Sequence, residues 1–148
     1  MSLKELMSEK LIVSELQSKN KEEGIKELAE KMAACGRVTD LPVYLNAVMK
    51  REEEATTGIG FGVGIPHGKS AAVAEPSLAF GRSKEGIVYD SMDGNPVHLL
   101  FLIAVPENSD NEHLRILSQL SRKLMHQEIR EQLMNAVSNE EIYSIIDM

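Results

Sequence analysis

A glycine-rich segment in the middle of the chain constrains the fold more than any other stretch of sequence. Residues 58–68 hold glycines at positions 58, 60, 62, 64 and 68, together with Pro66. Glycine and proline both disfavour continuous helix, so this segment is predicted to be strand, turn or loop. His67 lies between the proline, which fixes its own backbone torsion, and a glycine, which removes steric bulk. The sequence therefore predicts an imidazole on a defined backbone, with open access to one ring nitrogen.

Nucleotide binding is the first function that a glycine-rich segment followed by Lys69 and Ser70 suggests. No three glycines have the G-x-G-x-x-G spacing, and Val63 stands where a G-x-x-x-x-G-K-[ST] loop requires its first glycine. Both nucleotide-binding hypotheses are thereby excluded. His67 is then either a nucleophilic imidazole or a turn histidine without chemistry, and the spacing alone is compatible with both.

The length and charge of the chain narrow the classes of function. A chain of 148 residues matches one ordinary domain, so we expect a single domain over residues 1–148. The formal net charge of −7 provides no general attraction for nucleic acid or anionic lipid. The longest apolar stretch, residues 97–105, is too short to span a bilayer, and the N-terminus is charged from Lys4 with no apolar signal core. Cys35, expected to be a buried thiol, cannot form an internal disulfide, and these features together predict a cytoplasmic location.

The apolar pattern on either side of the glycine-rich segment predicts strands mixed with helices. Strands are expected at residues 11–13, 77–82, 87–89 and 96–105, and turns at 84–86 and 93–95. Helices are expected at residues 21–35, from the cap Asp40 to Glu54, from Asp110 onward, at 128–137, and after a capping box at 138–141. The pattern is typical of an α/β sandwich built on a mixed β-sheet.

Eight positions around His67 resemble a known active-site signature, that of the fructose–mannitol class (type 2) of enzyme IIA in the bacterial sugar phosphotransferase system. The matching residues are Glu52, Ile59, Gly60, Val63, Ile65, Pro66, His67 and Gly68. Gly64 departs from the pattern, where the family usually has alanine, and this bears on the rigidity of the loop. The resemblance continues through residues 81–83, 97–106 and 113–120, and is strongest to fructose-specific IIA components.

The resemblance implies a fold, a reaction and partners. The fold would be α/β, a mixed β-sheet flanked by helices on both faces in a three-layer sandwich. His67 would accept a phosphoryl group from the histidine phosphocarrier protein and pass it to a cysteine of an enzyme IIB domain, with no cofactor. Contact with the membrane would be indirect, through the transporter complex. The nitrogen-type regulatory enzyme IIA has the same Pro-His-Gly segment and remains an alternative, as does a non-catalytic adaptor with a vestigial site.

Three further residues receive a role through the resemblance. His113 corresponds to the second active-site histidine and Arg51 to an active-site arginine, and both would stabilise the phosphoryl oxygens together with backbone N–H groups near Gly68. The sequence alone leaves structural alternatives, because His113 lies on an apolar helical stripe and Arg51 lies in the charged run 50–54.

A metal site is not predicted. No two histidines have the i, i+4 spacing of a helical metal site, and no H-E-x-x-H sequence occurs. The two remaining histidines, His98 and His126, are expected to be structural.

Overall fold

A computed structural model describes residues 3–147, apart from the side chain of Lys4. Within these residues the chain forms six strands and five α-helices, preceded by the short 3-10 helices Leu3–Leu6 and Glu9–Leu11. The strands are β1 (Ile12–Val13), β2 (Gly58–Gly60), β3 (Val63–Gly64), β4 (His67–Ser70), β5 (Ser77–Ile87) and β6 (Val97–Pro106). The helices are α1 (Lys21–Ala34), α2 (Leu41–Glu54), α3 (Glu112–Leu124), α4 (Gln127–Asn135) and α5 (Asn139–Asp147).

The six strands form one mixed sheet around a buried central strand. The strand order is β1-β5-β6-β3-β2, with β4 also paired to β6. β5 and β6 are antiparallel, whereas β1 is parallel to β5 and both β3 and β4 are parallel to β6. Residues 99–105 of β6 are all buried, as the nearly continuous apolar sequence predicts for a strand covered on both faces.

A two-residue break separates β3 from β4 along the same side of β6. Val63 pairs with Leu99 and His67 pairs with Ile103, so the register is unchanged across the break. The carbonyl of Pro66 accepts a hydrogen bond from the Ile103 N–H at 3.0 Å. Pro66 has no N–H to donate to a ladder, which explains why the regular strand stops there. The break places His67 at the start of a short strand that is tied to the centre of the sheet.

Helices cover both faces of the sheet. α1 and α2 pack together, with α1 against β5 and β6 and α2 against β4. α3, α4 and α5 form the second group, in which α3 and α4 contact β6 and α5 contacts β1. The expected α/β fold, a mixed sheet flanked by helices in a three-layer sandwich, is confirmed. Among the described residues, no helix has the length and apolar character needed to cross a bilayer.

The first two helices begin as their sequences predict. The Asn20 side chain accepts a hydrogen bond from the Glu23 N–H, and Asp40 caps α2 by accepting from the Val43 N–H at 3.3 Å. Pro42 lies in the first turn of α2, where a backbone N–H would have no acceptor within the helix. The lack of an N–H in proline therefore costs no helical hydrogen bond. The predicted apolar face of α1 is buried, but Cys35 at its end is half-buried rather than buried.

One local prediction in the sheet is wrong. The expected turn at residues 84–86 lies within a single strand, β5, which continues to Ile87 with a register shift between Arg82 and Ile87. The separate strand expected at 87–89 is absent from the described residues, since Val88 forms only an isolated bridge with Asn20. Gly86 adopts φ +88°, and its N–H donates to the Ser83 hydroxyl at 3.0 Å. The glycine therefore forms an irregularity within the strand, not a turn between two strands. The turn expected at 93–95 is present, with Gly94 at φ +76°.

The C-terminal helices are joined to the sheet by a buried arginine. Arg82 of β5 donates from Nε to the Ser14 carbonyl at 3.1 Å. Its Nη1 donates to the carbonyls of Leu133 at 2.8 Å and Ala136 at 2.7 Å, where α4 ends. A cation at the C-terminus of a helix interacts favourably with the helix dipole. Arg82 thus satisfies carbonyls that the helix itself leaves without partners.

Candidate active site

His67 has a defined tautomer because of a contact within its own strand break. Its Nδ1 lies 3.1 Å from the carbonyl oxygen of Ile65, and the residue is only 7% exposed. A carbonyl oxygen can only accept, so Nδ1 carries the proton and Nε2 keeps its lone pair. The side chain thus presents one nucleophilic nitrogen in a fixed ring orientation.

His113 lies directly beside His67. It is in the first turn of α3, and the two imidazole rings stack with centroids 5.7 Å apart and an interplanar angle of 25°. Its Nδ1 is buried and has no hydrogen-bond partner among the described residues. The structure therefore brings together two histidines that are far apart in the sequence. The alternative of a fully buried core histidine does not hold, because His113 is half-buried.

Arg51 is placed in the last turn of α2, close enough for its charge to act on both histidines. Its Nη1 donates to the Ala55 carbonyl at 2.9 Å, and its Nε lies 3.9 Å from a Glu54 carboxylate oxygen. The side chain is 34% exposed, so the guanidinium is held at one edge and open to solvent at another. This arrangement leaves donors available for an incoming anion.

Gly68 is buried at a close contact between α2 and β4. A Cβ at this position would lie 2.7 Å from Cγ2 of Val48 and 3.1 Å from the Tyr44 ring. The Tyr44 hydroxyl also donates to the Ile103 carbonyl at 2.8 Å. The helix that carries Arg51 is therefore fixed directly against the strand that carries His67.

A buried polar network that includes Glu52 and Thr57 lies beside the site, and the sequence alone does not indicate a role for it. The Glu52 carboxylate accepts from Lys21 Nζ at 3.0 Å and from the Thr57 hydroxyl, and that hydroxyl lies 2.8 Å from the Tyr89 hydroxyl. Burial and the Glu52 charge raise the pKa of Tyr89, so the phenol stays protonated. The sequence does indicate that Glu52 is buried, because it follows Val48 by four residues and so lies on the inner face of α2. A buried carboxylate needs partners.

Both site histidines are neutral at neutral pH. Burial, first, and then the Arg51 charge lower the pKa of His67, against the hydrogen bond to Ile65 and the charges of Glu52 and Glu54. Burial also lowers the pKa of His113, and the charges of Lys69 and Arg51, together with that of His67 when its ring is protonated, act in the same direction. The unprotonated ring is the form that can act as a nucleophile.

These shifts predict a pH dependence of stability. As pH falls below the ordinary histidine value of 6.5, the unfolded chain binds a proton at residue 67 before the folded chain does, so the free energy of unfolding decreases. The decrease ends once pH has fallen through the lower pKa of the folded state. Each such proton contributes a slope of at most about 1.4 kcal/mol per pH unit.

Urea unfolding of the wild type and of His67→Gln, measured between pH 7.5 and 5, checks this expectation. The variant should lose less stability on acidification than the wild type does. An equal or steeper loss in the variant would contradict the assigned direction for His67.

The described residues contain no group of three histidine, cysteine, aspartate or glutamate side chains placed to hold a metal ion. His98 is half-buried, with its Nδ1 2.9 Å from the Ser83 carbonyl, and His126 is exposed before α4. Neither is among the groups that act on His67.

Known proteins and a family model are similar to this chain over most of its length. Residues 5–148 match the family model described as phosphoenolpyruvate-dependent sugar phosphotransferase system, EIIA 2. The chain is 48% identical over 126 residues to the fructose-specific EIIA component of Haloferax volcanii, covering 85% of this chain and 82% of that protein. It is 44% identical over 147 residues to the fructose-specific EIIABC component of Bacillus subtilis, covering 99% of this chain but only 23% of that longer protein.

A solved structure shares the fold over nearly the whole chain. The nitrogen regulatory protein IIA-Ntr of Neisseria meningitidis superimposes with a TM-score of 0.89 at 34% identity, covering 97% of each chain. The family match over residues 5–148 agrees with the similarity to the Haloferax volcanii protein, of which this chain covers 82%. The chain therefore belongs to the EIIA type 2 family of the phosphoenolpyruvate-dependent sugar phosphotransferase system.

Proposed function

We propose that this chain carries a phosphoryl group on Nε2 of His67. One observation carries the proposal above all: the Ile65 carbonyl holds the Nδ1 proton and leaves Nε2 as the nucleophile. Family membership supports it, because phosphotransferase system EIIA domains pass phosphate through a phosphohistidine. The low exposure of His67 limits access of water, which favours transfer to a partner over hydrolysis.

The reaction is an in-line displacement between protein side chains. The Nε2 lone pair of His67 attacks phosphorus as the phosphorus–nitrogen bond to the donor imidazole breaks, and that imidazole leaves with the bonding electron pair. Transfer onward repeats the step with a thiolate as nucleophile and His67 as leaving group. Arg51 offsets the charge on the phosphoryl oxygens, and a neutral His113 donates a ring N–H to one of them. Backbone N–H groups near Gly68 add further donors.

The partners follow from the family. The donor is the histidine phosphocarrier protein, the acceptor is a cysteine of an enzyme IIB domain, and the location is cytoplasmic. The Bacillus subtilis relative supports a IIB acceptor, since its name joins A, B and C components. The names of the two relatives at 44% and 48% identity favour fructose as the sugar. Residues 1–148 act as a single carrier domain, and the membrane is reached only through the transporter complex.

A regulatory role is the second candidate function, and one observation favours it. The Neisseria meningitidis structure, which covers 97% of this chain, is of a nitrogen regulatory protein. In that case the phosphorylated and free forms would differ in their binding to a target protein instead of feeding a transporter. His67 would carry the phosphoryl group in both cases.

Phosphoryl uptake from phosphoenolpyruvate, with the general phosphotransferase proteins supplied, tests the carrier role. We expect one phosphoryl group per chain, mapped by mass spectrometry to His67, and its loss when a fructose-type enzyme IIB is added. Uptake without transfer to any enzyme IIB would favour the regulatory role. No uptake by the folded chain would overturn the proposal and leave the non-catalytic adaptor.

His113→Ala is expected to slow uptake by on the order of 10²-fold, the typical loss when one donor to a developing oxyanion is removed. The fold should persist, because His113 is half-buried and its Nδ1 has no partner among the residues described. Single-turnover phosphorylation measures the effect. His113→Gln, which retains an N–H donor, should recover part of the rate. A wild-type rate in His113→Ala would remove this residue from the site.

A further inference from the structure

A continuous path of hydrogen bonds leads from the buried Glu52 to the ring of His67. The Thr57 hydroxyl and, at 3.4 Å, the Thr57 N–H both donate to the Glu52 carboxylate. The Thr57 carbonyl accepts from the Ile65 N–H at 3.0 Å. The Ile65 carbonyl, in turn, accepts from His67 Nδ1. Each step is a direct contact, so the position of Thr57 bears on the acceptor that sets the His67 tautomer.

We propose that Glu52 and Thr57 form a clasp of positioning residues that holds the Ile65 carbonyl against His67 Nδ1 and so keeps Nε2 free for transfer. The inference rests on the proposed carrier function of His67. It assigns a task to a buried carboxylate that makes no contact with the reacting nitrogen itself.

The strand break explains why the Ile65 carbonyl needs this support. Ile65 and Pro66 lie between β3 and β4, outside the regular strands. Pro66 is tied to β6 through its carbonyl and the Ile103 N–H, whereas Ile65 is tied through its N–H to Thr57. Thr57 itself precedes β2 and lies outside any strand, and its hydroxyl and N–H are both committed to Glu52. Loosening the Glu52 contacts would therefore free the peptide group that orients the imidazole.

The same clasp also restrains the loop that Arg51 contacts. This residue precedes Glu52 on α2, and its guanidinium donates to the Ala55 carbonyl, within the short connection that Glu52 ties down at Thr57. A single carboxylate thus restrains both the loop that holds the arginine and the carbonyl that holds the histidine.

The energetics are consistent with positioning as the reason for a buried charge. The side chains of Lys21 and Glu52 are only 13% and 4% exposed, and a buried ion pair often stabilises a fold no better than well-packed apolar side chains do. Outer contacts that fix the tautomer of a reactive histidine, by contrast, affect activity by about 10- to 100-fold where they have been removed at metal sites. The clasp has the arrangement expected of such an outer contact.

Thr57→Val is the decisive variant, because valine keeps the shape of threonine and removes only the hydroxyl. Thr57→Ser is the rescue variant, since it restores the hydroxyl without the methyl group. Glu53→Gln is the matched control, a charge removal on the exposed position next to Glu52. Folding of each variant is checked by its thermal transition. Should Thr57→Val fail to fold, Glu52→Gln takes its place, since it keeps the side-chain shape and loses the charge.

Two readouts are made on each variant. The ring ¹⁵N shifts of His67 at pH 8 report which nitrogen carries the proton, and this measurement needs no phosphoryl donor. We expect the Nδ1–H form to dominate in the wild type, Thr57→Ser and Glu53→Gln, and to share the population with the Nε2–H form in Thr57→Val. For uptake, we expect kcat to fall by about tenfold or more in Thr57→Val, with an unchanged KM for the phosphorylated donor protein.

A folded Thr57→Val variant with wild-type ¹⁵N shifts and kcat would overturn the clasp. A change in uptake with an unaltered tautomer would also overturn it, since the effect would then reach the reaction by another route. Absence of uptake by the wild type would overturn the carrier function, while the ¹⁵N shifts would still decide the clasp.

Discussion

His67→Ala is expected to abolish phosphoryl uptake entirely. The variant lacks the nitrogen that we propose forms the bond to phosphorus, so no neighbouring donor can compensate for its loss, in contrast to the loss of a stabilising group. The stacked His113 does not replace it, because its orientation is set by α3 and no carbonyl fixes its proton. Incubation with phosphoenolpyruvate and the general proteins, followed by intact-mass measurement, should show no added phosphoryl group.

The fold of His67→Ala should be retained. The side chain makes one hydrogen bond, to Ile65 within its own strand break, and its backbone pairing to β6 does not depend on the ring. The matched control is His126→Ala, which removes an exposed imidazole and should leave uptake unchanged. Stable phosphorylation of folded His67→Ala would show that the acceptor is another residue.

Arg82→Met is expected to have the largest effect on stability, lowering the free energy of unfolding by about 3–5 kcal/mol. Methionine retains an apolar stem but leaves the carbonyls of Leu133 and Ala136 buried without a donor, at about 1–3 kcal/mol each. The contact with the Ser14 carbonyl is lost as well. Equilibrium denaturation in urea measures the change.

Two further variants separate hydrogen bonding from charge. Arg82→Lys keeps the charge but cannot reach Ser14 and the end of α4 at once, so we expect it to recover only a minor part of the loss. Arg122→Met, at an exposed position of α3, should change the free energy of unfolding by less than about 0.5 kcal/mol. A loss below about 1 kcal/mol in Arg82→Met would mean that these carbonyls find other partners.

The helices α1 and α2 were predictable from the sequence, because each has a periodic apolar pattern and residues that mark its ends. α1 follows from its apolar spacing and from the glycine after it, and α2 follows from Asp40 and Pro42. The extension of β5 through Gly86 was not predictable, because a glycine that follows a run of polar residues is compatible with a turn or with an irregularity in a strand. The unchanged register across Pro66 depends on pairing to a strand about 36 residues later, which local pattern does not reveal.

The site was only partly predictable. His67 stands out through its neighbours, whereas His113 and Arg51 have equally good structural explanations until the fold brings them near it. Glu52 is a matching position of the signature, but the sequence does not reveal its contacts with Lys21 of α1 and with Thr57 in the loop that follows α2. Such contacts depend on tertiary packing, which neither spacing nor residue type determines.

The unbroken register across the gap in the strand has a consequence for how fast a carrier can work. Because the ring of His67 is immobilised when the chain folds, the loss of its rotational entropy is part of the folding equilibrium and not of each encounter with a partner. In the proposed carrier role, donor and acceptor would therefore meet the same preorganised nitrogen, and neither would have to remain bound while a loop orders around it. Short-lived, weak complexes would then be sufficient for transfer in either direction, as a protein requires if it must release one partner before it can meet the next.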